Sequence, residues 1–114
     1  MKKITIIMIL FSALIIGCVK KIKLEINTPL NIVYEDFNFT NDEIEDIKNI
    51  LNEKIFYPLY NFKSEGIKLM LYTNEDTYNF EILDNYIIYI ENNKKYYAKS
   101  ENIKGYLNDI KKDA

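Results

Sequence analysis

The chain has 114 residues, room for one domain, with 15 basic and 17 acidic residues and a net charge of −2. Every basic residue is Lys, and Arg, His and Trp are absent. A mildly acidic chain without clustered cations argues against nucleic acid, and the missing His removes Ser-His-Asp and Cys-His nucleophiles and ordinary zinc sites.

Met1-Lys2-Lys3 is a short positive segment, followed by thirteen residues, Ile4 to Ile16, interrupted only by Thr5 and Ser12. That pattern is a signal-peptide core; as a helix it covers about 20 Å, short of a hydrocarbon layer of about 30 Å. Cys18, the only cysteine, follows Gly17 at the end of this run. A lone Cys excludes an internal disulfide. Leu14-Ile15-Ile16-Gly17-Cys18 resembles the lipobox of bacterial lipoproteins, with Ile15, Gly17 and Cys18 in the three defining places. Ile15 and bulky Ile16 are less usual there than Leu and a small residue. The resemblance covers residues 1–18 only. It implies cleavage before Cys18, a diacylglycerol thioether on its sulfur, and a further acyl chain on the new amino terminus. Two or more chains make a stable anchor where one does not. Val19 in place of Asp implies the outer membrane, in a bacterium that has one. The expected organisation is a signal peptide at 1–17 and a single domain at 18–114. Loss of Lys2 and Lys3 leaves the latter at a net charge of about −4.

Lys20 to Ile26 alternates charged and apolar residues, a strand pattern that starts without a flexible tether after Cys18. Its lysines are within reach of anionic lipid heads. Asn27-Thr28-Pro29 is a turn, and Leu30 to Phe39 reads as a second strand. Thr40-Asn41-Asp42-Glu43 fits a capping box, and Ile44, Ile47, Ile50, Leu51 and Ile55 form one helical stripe. Its acids, Asp42, Glu43, Glu45 and Asp46, compensate the helix dipole and lack the spacing of a calcium loop, so no metal is expected. Pro58 is expected to end this helix. The stretch from Phe56 to Phe62 is the most aromatic in the chain and the least regular. Its rings either close the end of the core, the reading preferred, or form a contact patch, for which Phe56, Tyr57, Tyr60 and Phe62 are the candidate partner-contact residues.

Alternation near 67–71, 77–83, 86–91 and 94–99 predicts four strands, with Asp84-Asn85 and Asn92-Asn93 as turns tolerant of positive φ. Ser100 is the expected cap of a second helix, with Ile103, Tyr106, Leu107 and Ile110 as its stripe. The predicted order is ββαββββα: an α+β fold, an antiparallel β-meander sheet with two amphipathic helices packed on one face.

Gly17, Gly66 and Gly105 are isolated and make no phosphate-cradling loop. The one surviving catalytic chemistry is a carboxylate pair drawn from Glu35, Asp36, Glu81 and Glu91, of the glycoside-hydrolysing type. The leading expectation is a cofactor-free, non-catalytic, lipid-anchored envelope module that binds a protein partner and is held to the membrane through Cys18. An inhibitor or immunity lipoprotein against a toxin or hydrolase, and a glycan-active enzyme, are the alternatives.

Overall fold

The computed structural model describes residues 21–60 and 66–112. The signal-peptide and lipobox residues, Cys18 included, and Phe62 lie outside them. The fold is mixed α+β, an eight-stranded antiparallel sheet with two helices. In chain order these are β1 (Ile22–Lys23), β2 (Asn31–Tyr34), β3 (Phe37–Asn38), α1 (Asn41–Glu53), β4 (Ile55–Leu59), β5 (Ile67–Tyr72), β6 (Thr77–Ile82), β7 (Tyr86–Glu91), β8 (Lys94–Lys99) and α2 (Ile103–Lys112). The sheet order is β1-β4-β8-β7-β6-β5-β2-β3.

Strands β5 to β8 form the meander anticipated from their alternation. Asn92 and Asn93 both take positive φ in the β7–β8 turn, as short hairpin turns require. The β6–β7 turn works differently, because Asp84 and Asn85 are not left-handed. Asn85 instead fastens the start of α2: its carbonyl accepts from the Ser100 N–H and its Oδ1 from the Asn102 N–H, both at 2.9 Å. Helix α2 accordingly begins at Ile103, later than a cap at Ser100 would place it.

Three expectations are corrected. The span 30–39 is a hairpin, not one strand: Glu35 and Asp36 turn with φ of 49° and 62°, so that Tyr34 faces Phe37. Helix α1 ends at Glu53 and Ile55 starts a strand, half exposed, so Pro58 does not terminate the helix. The aromatic stretch after the helix is not irregular but contains β4. That strand tolerates Pro58 because β1 flanks only Ile55 and Phe56, which leaves the outer margin from Tyr57 onward open. The capping box holds as expected, with the Thr40 N–H donating to the Glu43 side chain at 2.8 Å and the Glu43 N–H to Thr40 Oγ1 at 3.3 Å.

Strand register sorts side chains onto two faces. On one, Phe56, Ala98, Tyr96, Tyr89, Ile87, Ile82, Phe80, Leu69, Leu71, Ile32 and Tyr34 are all buried, and they share one cluster with Ile44, Ile47 and Leu51 of α1 and Ile103 and Leu107 of α2. Tyr89 lies at its aromatic centre, 5.4 Å from Phe80, 5.8 Å from Phe56 and 6.2 Å from Tyr96 between ring centroids. Helix α1 carries the chain from the β3 margin to the β4 margin. Helix α2 ends beside the β2–β3 turn, where Lys111 Nζ meets Glu35 Oε2 at 2.8 Å.

Burial raises the pKa of four tyrosines, Tyr34, Tyr78, Tyr89 and Tyr106, with help from nearby carboxylates; Tyr89, closest to Glu91, is pushed up to about 12. A raised phenol favours the fold while it stays neutral. Its contribution is intact below the ordinary value of 10.0 and disappears as pH climbs through the folded-state values. Urea midpoints are therefore expected to hold steady up to that value and fall above it. Tyrosinate absorbance should rise in step with unfolding, and a Tyr89→Phe chain should lose less stability over the same interval.

Candidate binding surface

The opposite face of the sheet presents Ile55, Tyr57 and Leu59 from β4, Lys95, Tyr97 and Lys99 from β8, Tyr86, Ile88 and Ile90 from β7, Asn79 and Glu81 from β6, and Lys68 and Met70 from β5. These residues lie far apart in sequence, and only the strand register brings them together. Tyr97 is central: its ring centroid lies 6.0 Å from Tyr57 and 6.4 Å from Tyr86. Ile88 is 1% exposed yet stands outside the main core cluster, with Tyr97 and Glu81 as its cross-strand neighbours. Tyr57, Tyr86 and Ile55 remain substantially exposed around it. This face is a thin apolar layer with aromatic residues at its surface.

Glu81 is the buried carboxylate of this face. Lys95 Nζ lies 3.1 Å from its Oε1, and its Oε2 accepts from the Gly66 N–H at 3.1 Å. Gly66 is required there by space, since a Cβ would stand 2.8 Å from the Ile82 carbonyl oxygen. Glu91 belongs to the other side of the sheet, sharing parity with Tyr89, and Glu35 is engaged by Lys111. The two strand carboxylates, Glu81 and Glu91, thus project from opposite faces and do not converge.

The four aromatic candidates separate. Phe56 is fully buried beneath the helices, so it contributes core and no contact surface. Tyr57 points to the open face, and Tyr60 is 79% exposed at the end of β4, beside the strand's unpaired margin. Phe62 lies outside the described residues. What sequence reasoning missed is Tyr86 and Tyr97. Their strands were anticipated, but which side the helices cover was not, and without that, inward and outward positions on a strand apolar on both faces cannot be told apart.

Two clefts flank the sheet ends. One, of about 340 Å³, is lined by Gly66, Ile67, Asp84, Asn85, Tyr86 and Lys104. The other, of about 260 Å³, gathers Glu25, Glu75 and Asp76 near Tyr78. Among the described residues there is no cluster of side chains suited to hold a metal ion, and no helix long and apolar enough to cross a membrane.

The start of the fold is held firmly. Asn52 of α1 clamps the backbone of Ile26, its Oδ1 accepting from the Ile26 N–H at 2.8 Å and its Nδ2 donating to the Ile26 carbonyl at 3.0 Å. Leu24 and Ile26 are buried, and Lys21 Nζ stands 5.7 Å above the Tyr57 ring centroid. Lys21, three peptide links after Cys18 in sequence, thus stands at the border of the open face. Compared with known proteins, the chain matches no family model, no curated protein and no solved structure.

Proposed function

We propose that this chain is a small lipoprotein of the bacterial cell envelope that acts by binding a protein partner, not by catalysis. Cys18 carries the lipid, and the two helices cover one sheet face, leaving the β4 margin for partner contacts. The observation that carries the reading is the pinned start of the fold. With Lys21 over the Tyr57 ring and Ile26 clamped by Asn52, lipid on Cys18, three peptide links before Lys21, holds the body close to a bilayer. A protein held this way meets partners confined to the same surface. Tyr60 and Tyr57 at the open β4 margin supply contacts through side chains, because Pro58 has no N–H to offer an added strand.

The test has two parts. Mass spectrometry of the exported protein is expected to find an amino-terminal Cys18 bearing acyl chains, and Cys18→Ser should move the protein from the membrane fraction to the soluble one. A photo-crosslinking residue at position 60 should then give one discrete protein adduct on intact cells. An unmodified Cys18 overturns the anchor, and a position 60 that captures no protein overturns the partner-binding role.

A further inference from the structure

We propose that the open sheet face is a docking surface for an anionic lipid bilayer, on which the domain lies flat. Lys23, Lys68, Lys95 and Lys99 all project from the strands on this side, against Glu81 as the one carboxylate among the described strand residues there. Helix α1 has the opposite character, with Asp42, Glu45, Asp46 and Glu53 exposed along it, whereas α2 carries Lys104, Lys111 and Lys112 against Asp109. In a chain of net negative charge the open face thus carries a local excess of lysine, which turns that face toward an anionic plane. The exposed apolar content on the cationic side is mostly tyrosine, an apolar ring with a polar tip, suited to the depth of lipid headgroups, where lysine stems also extend.

The anchor points the same way. Lys21 stacks on Tyr57, a residue of this face, and three peptide links separate it from Cys18. Such a stretch spans about 10 Å at most. Lipid on Cys18 therefore brings the membrane surface to the border of this face. A protein occupant would have to enter between the domain and the bilayer holding it. The inference rests on the proposed lipidation for this distance argument, and its test runs without the lipid so that the two can fail separately.

The chain contains no Trp, so a single introduced Trp reports from one place. The test protein starts at residue 18 with Cys18→Ser and retains the whole core described between Ile22 and Ile110. With Tyr86→Trp, emission is expected to shift to the blue and be quenched by brominated acyl chains on phosphatidylcholine vesicles containing phosphatidylglycerol. Phosphatidylcholine alone should leave it unchanged. Asn49→Trp, on the exposed side of α1, should not respond to either. Adding Lys68→Glu and Lys99→Glu to the Tyr86→Trp chain should weaken partitioning tenfold or more, and added salt should weaken it in the unmodified face too, with the urea midpoint held as a control for folding. Equal responses at positions 86 and 49, no response to anionic vesicles, or indifference to the lysine reversals would overturn the proposal. So would a face inert to vesicles that crosslinks to an envelope protein through position 86.

Discussion

Phe56→Ala is expected to cost about 3–5 kcal/mol of folding stability, enough to remove much of a small domain's margin. Phe56 is fully buried, in tilted ring contact with Phe80 and Tyr89, and paired across the ladder with Ile22 of the short first strand. Truncation leaves a void in the cluster that the sheet shares with both helices, where Phe80 and Tyr89 are held by strand register and close it only in part. Tyr60→Ala, four residues away and 79% exposed, is expected to change stability by no more than about 0.5 kcal/mol. Urea denaturation of the two variants measures the contrast. If Phe56→Ala were as stable as Tyr60→Ala, the placement of β4 in the core would be wrong, and the aromatic stretch would be a loop after all.

That contrast shows where sequence reading stops. Helix α1 was legible because its cap chemistry and its stripe agree, and the meander because period-2 alternation is broken by Asn-Asn. Strand β4 was not. Ile55 continues the helical stripe by chance, and Pro58 argues against a strand unless the neighbouring strand is known to be too short to need its N–H. The β2–β3 hairpin did leave a signal. Ile32 and Tyr34 keep one parity while Phe37 and Phe39 take the other, and a two-residue turn is what puts Tyr34 and Phe37 on one side. Glu35 and Asp36 carry none of the glycine or asparagine that usually announces such a turn. The open face was the least legible feature. Its tyrosines and lysines come from five strands, and their shared side emerges only from the register and from the helices' choice of the other side.

Asn52→Ala is expected to cost about 2–6 kcal/mol, twice the penalty of leaving one buried donor or acceptor unmet, and to loosen the chain upstream of α1. The Asn52 amide satisfies both backbone groups of Ile26, which is 1% exposed, where β1 has already ended and no strand partner remains. Removal leaves an N–H and a carbonyl without partners in a place water reaches poorly. Asn52→Asp makes the argument sharper. A carboxylate still accepts from the Ile26 N–H but repels its carbonyl oxygen, so about half the bond energy is lost while side-chain size is kept. Hydrogen exchange at the Ile26 amide should accelerate in both variants, more so in Asn52→Ala. The consequence reaches beyond stability, because this clamp supports the short β1–β4 pairing, the described segment nearest Cys18. With it gone, only the two residue pairs of that ladder and the Lys21–Tyr57 contact hold Lys21 to Ile26, and a lipidated chain should ride farther from the bilayer. Distance-dependent quenching between a label at position 49 and a lipid-surface acceptor reads that separation directly. Unchanged quenching in Asn52→Ala would mean that something other than the Ile26 clamp sets the domain's height above the membrane.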